Sequence, residues 1–267
     1  MPHKYAIDAR LLGDEHELAW TNLGDWSQSR SEQPLSYPQA CENLARRLAD
    51  RLNLTSNDRV LDLGCGQGAS LRLWQAQYQI QQLEAVELQA KCVEHIEHYL
   101  SSINAIHQLN FLNLKSFEFK KFDVVLCIDA AYHTNLNSFL SSVNSVLNSK
   151  ARVGFHTLIW SEQYLNSNFW QRQKYRYLLK AADVKAEHLR TAQQTTQLMQ
   201  QFGFEKTEIE DLSEAVLAGF ANYIEQRCPQ QQSNWNGLKI AMTAKLCRKL
   251  YAEGLLRYVQ ITATAKT

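Results

Sequence analysis

RVLDLGCGQGAS, residues 59–70, is the stretch that decides the fold of this 267-residue chain. The short apolar run Val60–Leu63 predicts a buried strand. Gly64, Gly66 and Gly68 follow at every second position and precede a predicted helix. Glycine adopts positive φ without strain and lets the backbone approach a ligand closely, and a helix N-terminus presents N–H groups. The stretch therefore predicts a strand, a tight loop suited to a ligand, and a helix.

Two acidic residues near this loop indicate which ligand it suits. Glu87 comes 23 residues after Gly64, at the end of the next predicted strand, where a carboxylate can accept both hydroxyls of a ribose. Gly64, Gly66 and Ala69 also satisfy a dinucleotide-binding pattern, so a nicotinamide or flavin cofactor is an alternative, as is a turn that binds nothing. Asp62 would repel a pyrophosphate but suits the ammonium of a methionine-bearing nucleotide. The charges therefore favour S-adenosylmethionine.

The rest of the chain alternates between predicted strands and helices. Strands are predicted at Leu83–Leu88, Ile106–Leu109, Phe122–Ile128, Ala151–Trp160, Lys206–Asp211 and Tyr258–Thr264. Helices are predicted at Tyr37–Leu52, Lys91–Leu100, Phe139–Leu147, Thr191–Phe202 and Lys239–Tyr251. This alternation indicates an α/β fold with a doubly wound parallel sheet, in which ligands bind at the carboxyl ends of the strands. We expect residues 1–267 to form a single domain with an N-terminal helical segment, residues 1–57.

A segment at Ser161–His188 interrupts the alternation and is also predicted to be helical. It combines aromatic and basic residues, namely Tyr164, Phe169, Trp170, Tyr175 and Tyr177 with Arg172, Lys174, Arg176 and Lys180. Such a segment can be a helical layer packed on the sheet or a lid that shapes a substrate pocket. We favour a helical lid over about residues 161–190.

Composition and charge exclude several classes of protein. The chain is 45% hydrophobic and 21% charged, which is ordinary for a soluble globular protein. Its formal net charge of +1 creates no overall field toward nucleic acid or an acidic membrane. No apolar run approaches the roughly 20 residues that span a bilayer, and residues 1–18 lack the apolar stretch of a signal peptide. We expect a cytoplasmic protein that binds neither nucleic acid nor membranes.

The cysteines predict neither a metal site nor a disulfide. They show no Cys-x-x-Cys pair and no zinc-ligand spacing with histidine. Several fall within apolar runs, where a free thiol behaves as a small hydrophobic group. The six are Cys41, Cys65, Cys92, Cys127, Cys228 and Cys247.

VLDLGCGQG, residues 60–68, resembles the first motif of class I S-adenosylmethionine-dependent methyltransferases, and AVEL, Ala85–Leu88, resembles their second. The resemblance implies a Rossmann-like, mostly parallel sheet of about seven strands with an antiparallel last strand. It also implies S-adenosyl-L-methionine as cofactor. The cofactor-binding residues that we predict are Tyr37, Asp62, Gly64, Cys65, Gly66, Gly68, Glu87, Leu88, Asn110, Phe111, Asp129 and Ala130.

Each part of the cofactor has an expected neighbour in this set. The first motif faces the methionine, Glu87 the ribose and Leu88 the adenine. Asn110 stands where the family usually has an aspartate that binds the adenine amino group, and its side-chain carbonyl can accept the same bond. Asp129 and Ala130 match the stretch that lines the sulfonium.

Further segments resemble the methyltransferases that act on small molecules. Asn22–Trp26, NLGDW, resembles the NLGYW segment of macrolide-sugar O-, tocopherol C- and phosphoethanolamine or sarcosine N-methyltransferases, and Ala131–His133 resembles their AYH. Two departures stand out. Asn148–Ala151 replaces the usual Pro-Gly-Gly turn, and His156-Thr157 replaces an acidic residue that assists the base in some relatives.

His133 is the predicted catalytic base, because a histidine titrates near neutral pH and this one follows the fourth strand. His156 is a weaker second candidate. Tyr37, Tyr132 and Trp26 are candidates to cap the cofactor or contact the sulfonium, although packing in the core explains them equally well.

The predicted reaction is methyl transfer to a small-molecule acceptor, with O-methylation placed ahead of N- or C-methylation. Methylation of nucleic acid or protein is a further alternative, but no Asn/Asp-Pro-Pro-Tyr stretch and no RNA-binding module support it. A non-catalytic adenosylmethionine-binding protein is another. The chain is expected to be a monomer or a homodimer.

Overall fold

The structure is a computed structural model that describes residues 8–30, 32–116, 121–227 and 235–266. Seven strands form one sheet in the order β3-β2-β1-β4-β5-β7-β6. Their bounds are β1 Arg59–Leu63, β2 Gln82–Glu87, β3 Ala105–Gln108, β4 Phe122–Cys127, β5 Leu147–Trp160, β6 Phe204–Asp211 and β7 Leu256–Ala265. The predicted α/β class with about seven strands is confirmed.

Helices cover both faces of this sheet. Their bounds are α1 Tyr37–Arg51, α2 Ala69–Gln77, α3 Ala90–Tyr99, α4 Leu136–Asn144, α5 Glu162–Leu165, α6 Phe169–Ala181, α7 Ala192–Gln201, α8 Gly219–Arg227 and α9 Trp235–Glu253. Two clusters of buried apolar side chains form the core. One contains Leu44 of α1 and Trp74 of α2, and the other contains Phe139 of α4 and Phe155 of β5.

The order of the strands fixes where a ligand can bind. β1 pairs in parallel with β2 on one side and with β4 on the other. The chain moves outward from β1 to β2 and β3, then returns across β1 to β4. Connections that leave a parallel sheet in opposite directions open a crevice at the carboxyl ends of the strands. The residues that follow β1, β2 and β4 therefore meet at this edge.

The predicted antiparallel last strand is also confirmed. β7 lies between β5 and β6 and is antiparallel to both. Its pairing with β5 runs from Leu256 opposite Trp160 to Thr264 opposite Arg152, so β7 is held along almost its whole length.

Several boundaries differ from the predicted ones for local reasons. α4 begins at Leu136 instead of Phe139, because the Asn135 side chain accepts a hydrogen bond from the Asn137 backbone and caps the helix. β5 already begins at Leu147, which pairs with Phe122, and the pairing is irregular between Phe122 and Val124. This irregular start occupies the place of the usual Pro-Gly-Gly turn.

The N-terminal segment is less helical than predicted. In its described part, only α1 and a short 3-10 turn at Ala9–Leu12 are helical. Between them the chain runs irregularly, with Gly24 at φ 77°. This course lets residues 19–22 pass over the carboxyl edge of the sheet, where the site lies.

No helix in the described ranges combines the length and apolar character that a membrane span requires. Five cysteines are free thiols in the structure, and Cys228 lies outside the described residues.

Candidate cofactor-binding and active site

The loop after β1 has a backbone that glycine permits. Gly64, Gly66 and Gly68 have φ values of 70°, 57° and 89°, which strain other residues. The loop is also crowded, because a Cβ on Gly66 would lie 2.8 Å from Thr21 Oγ1 and one on Gly64 would lie 3.1 Å from the Ala130 Cβ. Larger side chains here would displace the neighbouring segments.

A shallow recess opens beside this loop. The glycine loop forms one wall and the N-terminal segment forms the other. Its lining residues are Ala19, Trp20, Thr21, Asn22, Asp62, Gly64, Cys65, Ala69, Ser70 and Ile128. Three of the predicted cofactor residues, Asp62, Gly64 and Cys65, thus share one recess.

Glu87 lies at the end of β2 and reaches the same loop. Its carboxylate accepts hydrogen bonds from the Gly66 backbone, at 3.1 Å, and from the Gln89 backbone, at 2.9 Å. Leu88 follows it and is 50% exposed. A buried carboxylate beside an exposed apolar side chain suits a ribose that carries a flat base.

Asn110 and Phe111 follow β3. The Asn110 side-chain oxygen accepts a hydrogen bond from the Leu112 backbone at 2.9 Å, and a carbonyl oxygen has a second lone pair for another donor. The Phe111 ring lies close to Gly64, since a Cβ on that glycine would be 3.6 Å from it. Both residues therefore reach the edge that carries Glu87.

Asp62 is a buried carboxylate behind the recess. The Trp74 indole donates to it at 2.7 Å, and Ser70 also makes a side-chain hydrogen bond with it. Burial raises the pKa of Asp62 to about 6, mainly through loss of solvation, although these bonds oppose the change. A cation in the recess would stabilise the ionised carboxylate and so offset part of this desolvation penalty.

Asp129 connects three segments at the end of β4. Its carboxylate accepts hydrogen bonds from the Leu23 backbone at 3.0 Å, from the Tyr258 hydroxyl at 2.8 Å and from the Tyr132 side chain. Its own backbone has φ 54°, an uncommon conformation for a residue other than glycine. Desolvation raises the pKa of Asp129 to about 6 as well. The carboxylate thus lies among two phenol groups and the N-terminal segment.

His133 closes the short turn after Asp129. Its Nδ1 lies 3.2 Å from the backbone carbonyl of Asp183, in the loop after α6. A carbonyl can only accept, so Nδ1 carries the proton and Nε2 is the basic nitrogen. This tautomer suits a general base, and the contact ties the turn to the predicted lid segment.

Comparison of the sequence with protein-family models identifies the family of this chain. Residues 36–209 match the methyltransferase domain family, which is more than half of the chain. The chain belongs to this family. The matched region begins just before α1 and ends within β6, so it includes every strand that bounds the recess.

Individual relatives of this methyltransferase domain are distant. The chain is 25% identical to the sterol 24-C-methyltransferase of Candida albicans over 163 residues, which are 59% of the chain and 43% of that protein. It is 25% identical to methyltransferase phqN of Penicillium fellutanum over 170 residues, 62% of the chain and 51% of that protein. The chain spans about half the length of the curated relatives it matches.

A solved structure shows the same fold over nearly the whole chain. Geranyl diphosphate C-methyltransferase from Streptomyces coelicolor, in complex with Mg²⁺, geranyl diphosphate and S-adenosyl-L-homocysteine, superposes with a TM-score of 0.72 at 16% identity. The match covers 96% of both chains. It shows that the fold of this methyltransferase domain includes the helical segments beyond residue 209.

Two aromatic candidates hold the N-terminal segment of the methyltransferase domain in place. Tyr37 is fully buried, and its hydroxyl donates to the Asn22 carbonyl at 2.8 Å. The Trp26 indole donates to the Leu23 carbonyl, and its ring stacks on Tyr223. Both support the wall of the recess from behind, and a direct contact of Tyr37 with the cofactor stays a prediction.

His156, the second base candidate, lies inside the sheet. It is fully buried and stacks on Tyr258, and its Nε2 is 3.2 Å from the side-chain oxygen of Gln260. Burial lowers the pKa of His156 to about 4, so the ring is neutral near neutral pH.

Sequence reasoning missed the recess wall at residues 19–21 and found only its last residue, Asn22, as part of NLGDW. Asp14, which is fully buried, holds this wall because it accepts a hydrogen bond from the Trp20 backbone at 2.7 Å. A spacing of six residues between an acidic and an aromatic residue belongs to no recognised sequence motif, so it could not be used to predict this contact. The adjoining NLGDW segment was the available signal.

Removal of the indole donor is expected to destabilise the protein. Trp74→Phe should lower the free energy of unfolding by about 1–3 kcal/mol at pH 7, because it leaves the buried Asp62 carboxylate short of a hydrogen bond. Urea denaturation at pH 7 measures this change. Tyr78→Phe is the matched control, since the Tyr78 hydroxyl bonds Asp50 at the surface and should contribute less than about 1 kcal/mol. Equal costs for both variants would contradict the account of Asp62.

Proposed function

We propose that the chain transfers a methyl group from S-adenosyl-L-methionine to a carbon atom of a small, largely apolar acceptor. The observation that carries the proposal is the recess beside the glycine loop, with Asp62 behind it and Glu87 at its edge. A crowded loop flanked by two carboxylates suits a cationic nucleoside and disfavours a pyrophosphate. Membership of the methyltransferase domain family supports the same ligand.

The residues present fit this cofactor along its whole length. Asp62 lies near enough to the recess to attract an ammonium group, while the loop backbone offers close approach. Glu87 would take the ribose hydroxyls in place of its present backbone donors. Leu88 and Phe111 offer apolar surface to the adenine. When bound, S-adenosylmethionine supplies an electrophilic methyl group on a sulfonium.

The relatives favour carbon as the atom that is methylated. Sterol 24-C-methyltransferase matches in sequence and geranyl diphosphate C-methyltransferase matches in fold. These comparisons support the alternative of C-methylation better than the expected O-methylation. Both names describe acceptors with a large apolar hydrocarbon part, which agrees with the aromatic surroundings of Asp129.

The group around Asp129 suits the chemistry of a carbon acceptor. An alkene that accepts a methyl cation becomes positively charged. Aromatic faces and a carboxylate stabilise such a charge. Tyr132 and Tyr258 lie with ring centroids 6.4 Å apart, and both hydroxyls bond Asp129. We assign to this group the stabilisation of the developing cation.

His133 is the proposed base. A methylated carbon cation becomes a neutral product when it loses a proton, and Nε2 of His133 is the basic nitrogen at the next turn. The same nitrogen could deprotonate a hydroxyl acceptor. The position of the methyl group in the product, not the base itself, therefore separates the two reactions.

The test is transfer of a carbon-13-labelled methyl group. The protein is incubated with labelled S-adenosylmethionine and, in separate reactions, with geranyl diphosphate, a sterol that has a side-chain alkene, and a sugar alcohol. The proposal predicts labelled product from an alkene acceptor, with the chemical shift of a methyl on carbon. A label found only on oxygen would contradict it, and S-adenosylmethionine that binds but is never consumed would favour a non-catalytic protein.

Cofactor binding is expected to weaken as the pH falls. The pKa values of Asp62 and Asp129 are raised to about 6 by burial, and a bound cation lowers them again. Binding therefore releases protons, and the dissociation constant should rise about 10-fold for each coupled carboxylate between pH 7 and pH 5. Titration calorimetry at both pH values measures this dependence.

S-adenosylhomocysteine is the matched control for that titration, since it keeps the ammonium but lacks the sulfonium charge. Its affinity should fall less than that of S-adenosylmethionine, because only Asp62 then faces a cation. Protonation of these two carboxylates does not destabilise the fold in this range. Acids with raised pKa bind more protons in the folded state, so Asp62 and Asp129 add stability as the pH falls through 6. Equal pH dependence for the two ligands would contradict the placement of Asp129 near the sulfonium.

A further inference from the structure

The outer face of α6 exposes large aromatic side chains. Trp170 is 78% exposed, Tyr177 is 77% exposed and Phe169 is 63% exposed. Trp170 and Tyr177 are seven residues apart and therefore share one face of the helix. The inner face buries Tyr175 and Leu179 against the rest of the protein. Helices of soluble proteins seldom expose such a cluster unless something binds it.

The charged side chains of α6 all have the same sign. The helix contains four basic residues, Arg172, Lys174, Arg176 and Lys180, and no acidic residue. Lys174 lies four residues after Trp170 and Lys180 lies three residues after Tyr177, so both flank the aromatic face. The net charge of +1 for the whole chain thus conceals a basic helix.

A second helix, α9, also exposes large apolar side chains. Trp235, Leu238 and Met242 of α9 are 71%, 42% and 59% exposed, and their spacing places them on one face. Lys239, Lys245 and Lys249 flank that face. The two helices meet at Glu253, which pairs with Lys174 of α6 at 2.6 Å and with Lys249 at 3.9 Å.

Contrary to the expectation from the net charge that the protein binds no membrane, we propose that the exposed faces of α6 and α9 form a docking surface for the bilayer of an anionic membrane. Aromatic rings among lysine and arginine are the composition with which amphipathic helices lie in a bilayer interface. Protein interfaces are depleted of lysine, and bases of single-stranded nucleic acid stack on rings and not on aliphatic residues such as Leu238 and Met242. Charge and composition together therefore favour lipid.

The surface lies where such docking would serve an apolar acceptor. The loop after α6 contacts His133 through the Asp183 carbonyl, so the docking helix adjoins the turn where we place the methyl transfer. An acceptor dissolved in the bilayer could enter from this side. The docking itself requires neither cofactor nor acceptor, so it can be tested independently of the proposed reaction.

The test is flotation of the full chain with vesicles of phosphatidylcholine alone and with vesicles that also contain phosphatidylglycerol. The proposal predicts binding to the anionic vesicles, much weaker binding to the neutral ones, and a loss of binding at high salt. Replacing both Trp170 and Tyr177 by alanine should weaken binding at least 10-fold. Arg176→Glu with Lys180→Glu should do the same on anionic vesicles only.

Matched controls come from α3. Tyr99→Ala removes an exposed aromatic residue, and Lys91→Glu reverses an exposed charge on the helix between β2 and β3. Both should bind vesicles like the parent chain, and thermal melting checks that every variant folds. Absence of binding to anionic vesicles would overturn the proposal. So would a double aromatic variant that binds normally, concentration-dependent dimerisation lost in that variant, or tighter binding to single-stranded RNA than to vesicles.

Discussion

Glu87→Gln is expected to weaken the binding of S-adenosylmethionine by about 10- to 100-fold. The substitution keeps the size of the side chain but removes its charge and one of its two acceptor oxygens. Hydrogen bonds to a charged partner contribute roughly 1.5–3 kcal/mol each, whereas those to a neutral amide contribute roughly 0.5–1.5 kcal/mol. Titration calorimetry measures the loss, which should be similar for S-adenosylhomocysteine because both ligands carry the same ribose.

Glu84→Gln controls for the loss of a buried carboxylate on the same strand. Glu84 bonds His107 and Arg59 instead of the glycine loop. It is three residues from Glu87 and therefore points to the other face of β2. This variant should bind the cofactor within about 3-fold of the parent affinity. If Glu87→Gln binds as tightly as Glu84→Gln does, the ribose is not at Glu87 and the orientation of the cofactor must be revised.

His133→Ala is expected to lower the rate of methyl transfer by about 100-fold or more while leaving cofactor affinity unchanged. A positioned base contributes roughly this factor, and His133 reaches no part of the recess beside the glycine loop. The measurement is kcat with the acceptor that takes the labelled methyl group, together with the cofactor dissociation constant. The rate of the parent chain should fall as acid protonates the histidine, and the variant should lose that dependence.

His98→Ala is the control for a histidine at the surface. His98 lies on α3 and makes a ring contact with Tyr99. Its removal should leave both kcat and the pH profile unchanged. If the rate of His133→Ala falls without any change in the pH profile, His133 only positions the turn after β4 through its bond to the Asp183 carbonyl.

Most of the fold could be predicted because its periodicities are local. The apolar run Phe122–Ile128 and the strand–glycine–helix unit at residues 59–70 each determine an element without distant partners. The errors lie where a single polar contact sets a boundary. Asn135 caps α4 three residues before its predicted start, and the irregular pairing near Phe122 extends β5.

The site could be predicted only where its residues follow strands. Glu87 ends β2, and Asn110 and Asp129 lie two residues after β3 and β4, so the topology brings all three to the carboxyl edge of the sheet. The opposite wall at residues 19–22 follows no strand, and its position depends on the buried Asp14 and on Tyr37. Such tertiary hydrogen bonds between distant segments have no periodic signal. The sequence identifies the segment that contains α6 as aromatic and basic, but only the structure shows which of its side chains are exposed.

The central claim is that the glycine loop with Asp62 and Glu87 holds S-adenosylmethionine. The most direct measurement is titration calorimetry of the purified chain with S-adenosylmethionine and, in parallel, with NAD. The account predicts saturable, stoichiometric binding of S-adenosylmethionine and no heat of binding with NAD. Saturable binding of NAD together with no binding of S-adenosylmethionine would contradict it.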